Sequence, residues 1–250
     1  MLLKLTIAYD GRPYSGWQKQ PNGTTIQALI EQALTEIAKA PITLHGSGRT
    51  DAGVHANGQV AHFESPDTVT MNPFNWVPAL NRKLPESIRI LTCEEADSGF
   101  HARFSATEKC YTYAISLEPI LHPHHAGLYW HLPRQLDPDS LAEALSHYQG
   151  THSFHNFCAL RGNETEDSDF SRTIFEASFK KTDAGYLITY RGSGFLYKMI
   201  RLLTGEAIQA AQGRLRLDDH LSLLTEDRPS HLRPFCAPAD GLILESVSYT

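Results

Sequence analysis

The chain has 250 residues, a size that fits one large domain or two small ones. Hydrophobic residues make up 41% and charged residues 20%, which excludes a disordered or fibrous chain and indicates an ordinary globular protein. The net charge of −6 weakly disfavours a nucleic-acid partner, although binding depends on local charge rather than on the sum.

The sequence predicts a cytoplasmic protein without a membrane segment. No apolar run reaches the ~18 residues that a membrane span needs, and residues 1–6 lack the features of a secretory signal. Four cysteines lie far apart, with no C-x-x-C pair, which argues against a zinc ribbon or a disulfide framework and for a reducing compartment.

The first half of the chain predicts the element order β-α-β-β-α-β. Strands are expected over 2–9, 42–44, 59–63 and 87–92, and helices from Thr24 onward and over 73–83. Thr24 and Gln27 have the spacing of a capping box, in which each side chain binds the other residue's backbone. A glycine-rich loop fills residues 46–58.

The second half repeats this order. Strands are expected over 110–117, 173–180, 186–190 and 242–249, and helices after Asp137-Pro138 and over 195–211. Residues 183–185 predict the hairpin turn. We therefore predict an α+β fold of two ferredoxin-like halves, residues 1–104 and 105–250, that form a continuous mainly antiparallel sheet with a central cleft.

The glycine-rich segment 46–55 is the densest candidate for chemistry. It matches neither a phosphate-binding loop nor a dinucleotide fingerprint, because no lysine follows its second glycine and a strand follows the segment. It presents one carboxylate, Asp51, beside one guanidinium, Arg49. An ordinary hairpin loop with a turn aspartate fits the composition equally well.

Two further places carry side chains that suggest a site. Arg201 lies in a predominantly apolar predicted helix, where a charge is costly unless it is paired. It either belongs to a solvated basic edge with Lys198 or points into the cleft and keeps a carboxylate ionised. Tyr111 and Tyr113 lie on the same side of a strand, where they form either core or a stacking platform for a base.

Other patterns favour structural interpretations. Asp183 repeats the Asp-Ala-Gly sequence, but a hairpin turn explains it better than a protease-like carboxylate pair. The polar, acidic stretch 161–171 predicts a loop. A histidine cluster lacks acidic or cysteine partners at ligand spacing, which favours a surface loop over a metal site; it consists of His122, His124, His125 and His131.

The segment 48–56, followed by Gly58-Gln59-Val60, resembles the signature loop of the tRNA pseudouridine synthase A family. The likeness runs nearly from end to end of the chain. Its other motifs are Tyr9-Asp10-Gly11, Gly16-Trp17-Gln18, the run 100–106, Tyr111-x-Tyr113, Phe195-Leu196 with Met199-Ile200-Arg201, and Gly241-Leu242. Many relatives carry a basic residue directly before the first tyrosine, where this chain has Cys110 after Lys109.

The resemblance implies the roles of five residues. Asp51 would be the catalytic aspartate, Arg201 its paired arginine, and Tyr111 the ring that stacks on uracil. Arg49 would help to flip or replace the target nucleotide, and Leu242 would line the pocket. The family converts uridines at positions 38–40 of the tRNA anticodon stem-loop into pseudouridine, as homodimers and with no cofactor or catalytic metal.

Two alternatives from other classes stay open at this point. A non-catalytic RNA-binding module would gain nothing from Asp51, because a carboxylate repels phosphates. A glycoside hydrolase would need a second carboxylate ~5–9 Å away, for which the sequence offers only Glu64 without a supporting motif.

Overall fold

The computed structural model describes residues 1–160, 168–225 and 233–250. Most of the predicted acidic loop over 161–171 lies outside the described residues, which resume at Ser168. The described part confirms the predicted α+β class, with mainly antiparallel strand pairing. Within the described ranges, no helix has both the length and the apolar character to cross a membrane.

The chain divides into two units. Unit 1 contains residues 1–109 and 243–250, and unit 2 contains residues 110–242. The sequence placed a domain boundary at 104/105 and a cleft between the halves. Both stay predictions.

Unit 1 has the predicted order β-α-β-β-α-β. Its elements are β1 (Leu2–Tyr9), α1 (Ile26–Ala38), β2 (His45–Gly46), β3 (His55–Glu64), α2 (Pro73–Asn81) and β4 (Ile88–Glu95). β1 pairs antiparallel with both β3 and β4, and β2 pairs antiparallel with β3. The later strand β10 (Leu242–Tyr249) pairs parallel with β3, through Ile243 and Leu244.

The core of unit 1 follows the two periodicities of its sequence. Leu3, Leu5 and Ile7 alternate along β1 and are fully buried, because successive side chains of a strand point to opposite faces. α1 buries one helical face that begins at Ile26, and α2 buries Trp76 against the sheet residue Phe63.

Two local predictions in unit 1 are wrong because side chains of α1 bind differently. The expected strand over 42–44 does not form. The backbone N–H of Leu44 donates to Glu31 and its carbonyl accepts from Gln27, so these groups are satisfied without a strand partner. The capping box is also absent: Thr25 is the N-cap residue and makes no side-chain capping bond.

Unit 2 carries the remaining elements. They are β5 (Ala106–Ser116, which starts in unit 1), β6 (Trp130–His131), α3 (Pro138–His147), β7 (Gly150–Ser153), β8 (Ser171–Lys181), β9 (Gly185–Gly192), α4 (Met199–Ala211) and α5 (Leu217–Thr225). The strand order is β5-β9-β8-β7, with β6 parallel to β5. α3 packs against α4, α5 and β8. The short β6 and β7 and the helix α5 are additions to the predicted order.

The ends of the unit 2 elements test the predicted signals. Asp137 caps α3 by accepting from Ser140 N–H at 3.1 Å, as the Asp-Pro signal predicts. The predicted hairpin turn is confirmed between β8 and β9, although Gly185 already begins β9. α4 begins at Met199 rather than at residue 195, because Lys198 has the left-handed φ of 60°, which an α-helix does not tolerate.

Candidate functional site

Asp51 lies on the segment that joins β2 to β3 in unit 1, here named the Asp51 loop (residues 47–54). The loop is shorter than the predicted 46–58, because β3 already begins at His55. Gly53 has φ +82°, a conformation that glycine adopts without strain. The N–H of Val54 donates to the Asp51 carbonyl at 3.2 Å and closes the turn.

Hydrogen bonds fix the first part of the loop to β3 and to Lys109. Ser47 is fully buried, and its hydroxyl donates to Gln59 Oε1 at 2.7 Å. Gln59 Nε2 in turn donates to the carbonyl of Gly48 at 3.1 Å. Lys109 Nζ donates to the Ser47 carbonyl at 2.7 Å. The backbone that leads to Asp51 therefore has three side-chain anchors.

The segment that follows β1 lies directly against the middle of the loop. Trp17 N–H donates to the Thr50 carbonyl at 3.1 Å. A Cβ at Gly16, whose φ is +91°, would stand 2.7 Å from that same carbonyl oxygen, and one at Gly11 would stand 2.0 Å from the Val54 oxygen. Only glycine fits at these positions, which explains the glycines of the motifs Tyr9-Asp10-Gly11 and Gly16-Trp17-Gln18.

The loop presents its two charged side chains differently. Thr50 is buried, whereas Arg49 before it is exposed and Asp51 after it is half-buried. The loop therefore holds a carboxylate on a fixed backbone and leaves it partly open to solvent. Such a group can act as a nucleophile or a base toward a bound molecule.

His55 joins the end of the loop to the segment after β1. It is 5% exposed, and its Nδ1 accepts from Gly11 N–H at 3.3 Å. Asp10 Oδ1 also lies 3.3 Å from this nitrogen. Hydrogen bonding to Arg12 holds the pKa of the Asp10 carboxyl below its usual value, so Asp10 is an anion at neutral pH.

In unit 2, the two tyrosines with the same sequence spacing have different contacts. Tyr113 is fully buried, and its hydroxyl donates to the Pro238 carbonyl at 2.5 Å, so it belongs to the core. Burial raises its pKa well above the usual value. Tyr111 is 8% exposed, and its ring packs edge to face against Phe195 at a centroid distance of 5.3 Å.

Arg201 occupies the first turn of α4 and is half-buried. Its Nε donates to the Ala237 carbonyl at 2.8 Å, while Ala237 N–H donates to the Arg201 carbonyl at 3.1 Å. The segment 235–242 thus orients this guanidinium. It ends at Leu242, which is 4% exposed. Sequence reasoning missed this segment except for Gly241-Leu242, because no periodic pattern marks it.

The structure brings together some of the predicted site residues. Arg49 and Asp51 share one loop of unit 1, whereas Tyr111, Arg201 and Leu242 lie in unit 2. The pairing of Arg201 with Asp51 stays a prediction. Among the residues that the structure describes, no group of three or more His, Cys, Asp or Glu side chains is placed to hold a metal ion.

Comparisons with known proteins agree with the motif pattern. A family model described as tRNA pseudouridine synthase matches residues 5–105 and 144–250. A relative from Akkermansia muciniphila named tRNA pseudouridine synthase A is 48% identical over 250 residues, which cover 99% of this chain and 94% of that protein. Relatives with the same name from Bacillus subtilis and Listeria innocua are each 41% identical, and the alignments cover at least 98% of both chains. The chain belongs to the tRNA pseudouridine synthase family.

Proposed function

We propose that the chain isomerises uridine to pseudouridine at positions 38–40 of the tRNA anticodon stem-loop, with Asp51 as its catalytic carboxylate. The observation that carries the proposal is the Asp51 loop itself: a partly accessible carboxylate stands on a backbone anchored from both sides, within a chain of this family.

The proposed reaction breaks the bond between ribose C1′ and uracil N1 and forms one between C1′ and C5 of the same ring. The C5 position loses its proton and N1 gains one, so the reaction adds and removes nothing. One ionised carboxylate is enough to start it, either as a nucleophile at C1′ or as a base that removes the 2′ proton. Both routes leave no role for a cofactor or a metal.

The other site residues act on the target nucleotide or on Asp51. A stacked base must be extruded before it can react, and stacking on Tyr111 is worth ~1–3 kcal/mol toward the unstacking cost. Arg49 helps to flip the target nucleotide or takes its place in the RNA, and Leu242 lines the uracil pocket. Arg201 pairs with the carboxylate and keeps it ionised, as the family resemblance implies.

The partner and the location follow from the same family resemblance. The substrate is tRNA, and recognition rests on the shape and phosphates of the stem because the major groove of A-form RNA is too narrow for side chains to read. The protein works in the cytoplasm as a homodimer.

The decisive experiment measures tritium release from C5 of labelled uridine in anticodon stem-loop RNA, together with RNA binding. We expect wild type to release tritium and Asp51→Asn to release none while it still binds. Arg201→Ala is expected to lower turnover, because the carboxylate loses its positive partner. As the matched control, Glu64→Gln removes an exposed carboxylate from β3 and should leave turnover unchanged.

Two results would contradict the proposal. RNA binding by wild type without tritium release would indicate a non-catalytic RNA-binding module. Free uracil in the product mixture, detected by mass spectrometry and lost in Glu64→Gln, would indicate a glycoside hydrolase with two carboxylates.

A further inference from the structure

A buried hydrogen bond connects the Asp51 loop to the end of β1. The hydroxyl of Tyr9 and Thr50 Oγ1 are 2.8 Å apart, and the two residues are 5% and 7% exposed. A buried hydroxyl that loses its partner is left with an unsatisfied polar group, so this bond resists opening. It joins positions 41 residues apart in the sequence.

Both peptide groups that flank Asp51 are fixed by hydrogen bonds. The Thr50–Asp51 peptide is held at the Thr50 carbonyl, which accepts from Trp17 N–H at 3.1 Å. The Asp51–Ala52 peptide is held at the Asp51 carbonyl, which accepts from Val54 N–H at 3.2 Å. Because peptide groups are planar, two fixed planes determine the direction of the Cα–Cβ bond between them.

The hydrogen bond with Tyr9 also fixes the side chain of Thr50. With its carbonyl and its hydroxyl both bound, Thr50 cannot rotate without breaking one of the two interactions. We propose that Tyr9 and Thr50 are positioning residues that aim the carboxylate of Asp51 at the reacting nucleotide, an inference that rests on the proposed function. Tyr9 is too deeply buried to contact RNA, so it acts through the residues that it holds and not on the substrate itself.

Gln59 extends the same arrangement toward the start of the loop. Hydrogen bonds with Thr50 and Gln59 oppose the rise that burial causes in the pKa of Tyr9, and burial dominates. The phenol therefore stays protonated at neutral pH. Gln59 also bonds to Ser47 and Gly48, the first two residues of the Asp51 loop. One buried side chain therefore contacts both the start of that loop and Tyr9.

The test compares variants that delete only a hydroxyl. Tyr9→Phe and Thr50→Val remove one partner each, while Thr50→Ser keeps the hydroxyl. Tyr14→Phe is the matched control, because Tyr14 is 7% exposed and its hydroxyl bonds to Ser87 rather than to the loop. For each variant, kcat and KM are measured by tritium release, and deuterium uptake is measured for the amides of residues 47–54.

The proposal predicts a loss in kcat without a loss in binding. Misplacing a reacting group by about 1 Å can cost ~100-fold in rate, so we expect Tyr9→Phe and Thr50→Val to lower kcat by roughly 10-fold or more at unchanged KM. Deuterium uptake by the loop should rise in both variants. Thr50→Ser and Tyr14→Phe should behave like wild type in both measurements.

Three outcomes would overturn the inference: a kcat for Tyr9→Phe equal to that of Tyr14→Phe, a defect confined to KM, or a Thr50→Ser variant as slow as Thr50→Val. A wild-type protein without turnover would instead overturn the proposed function. The positioning role would then be decided by deuterium uptake alone, and it fails if Tyr9→Phe leaves the loop as protected as Tyr14→Phe does.

Discussion

At two glycines of unit 1, Gly11 and Gly48, different kinds of neighbour would oppose an added side chain. At Gly11, an added Cβ would stand 2.0 Å from the backbone oxygen of Val54, which cannot move without distorting the Asp51 loop. At Gly48, it would stand 2.8 Å from Lys109 Nζ, the end of a flexible side chain. An added Cβ at Gly11 therefore clashes with rigid backbone, whereas one at Gly48 clashes only with a side-chain end that can adopt another rotamer.

We therefore expect alanine at these two positions to have unequal effects. Gly11→Ala should lower the free energy of unfolding by about 2–3 kcal/mol, in the range of an overpacked site, and Gly48→Ala by roughly 1 kcal/mol or less. Urea denaturation measures both. Gly99→Ala is the control, because a Cβ there meets nothing within 4 Å. Equal stabilities for the Gly11 and Gly99 variants would contradict the close approach.

At the level of single residues, the sequence predicted the carboxylate but not its supports. Asp51 stands out as a candidate because three glycines and one acid lie within a few positions, and such a local pattern is visible in the sequence. The bond between Tyr9 and Thr50 leaves no such pattern, because its partners come from segments that meet only after folding. Tyr111 and Tyr113 likewise have identical spacing signals, but Tyr113 bonds to the Pro238 carbonyl and Tyr111 packs against Phe195.

At the scale of elements, α4 shows the limit of apolar periodicity. The run from Phe195 onward is apolar enough to predict a helix, but Phe195 packs against Tyr111 from a non-helical segment that precedes α4. A hydrophobic pattern records which side chains are buried and not the backbone conformation that buries them. β1 and β10 had the predicted bounds because their alternation has no helical counterpart.

A chain of hydrogen bonds joins α3 to α5. Tyr148 donates to the Leu203 carbonyl at 2.9 Å, so its hydroxyl accepts from His220 Nε2 at 2.7 Å. His220 Nδ1 is then the acceptor for His147 Nδ1, at 3.2 Å. An added proton on fully buried His220 would break this last bond. Burial, with the nearby His147, lowers the pKa of His220 to about 4.

This depressed pKa predicts acid sensitivity of the helix pair. The unfolded chain binds a proton at His220 below about pH 6.5, whereas the folded protein binds it only below about pH 4. Stability is therefore full above about pH 6.5 and falls as the pH drops toward 4, by roughly 3 kcal/mol at most. Urea denaturation at several pH values should show a weaker dependence in His220→Gln, whose amide can still donate to Tyr148. An unchanged pH dependence would contradict this origin.

At the scale of the whole molecule, the net charge of −6 is unfavourable for binding the proposed RNA substrate, which is itself an anion. Association must then depend on local cations such as exposed Arg49. We expect the logarithm of the affinity for the stem-loop to fall linearly with the logarithm of salt concentration, with a slope of about −0.7 to −0.9 per phosphate contacted. Fluorescence anisotropy at several salt concentrations measures the slope. An affinity that does not change with salt would contradict phosphate recognition.

The composition of unit 1 bears on how the protein is made. A ribosome delivers residues 1–109 early, but residues 243–250, which belong to the same unit, emerge only after all of unit 2. Until then the edge of β3 at His55 and Ala56 lacks its parallel neighbour, and the space that Gly58 leaves for the backbone of Glu245 is empty. The sheet that follows the Asp51 loop is therefore completed late in biosynthesis, so a nascent chain carries every residue of that loop before β10, the parallel neighbour of β3, has been made.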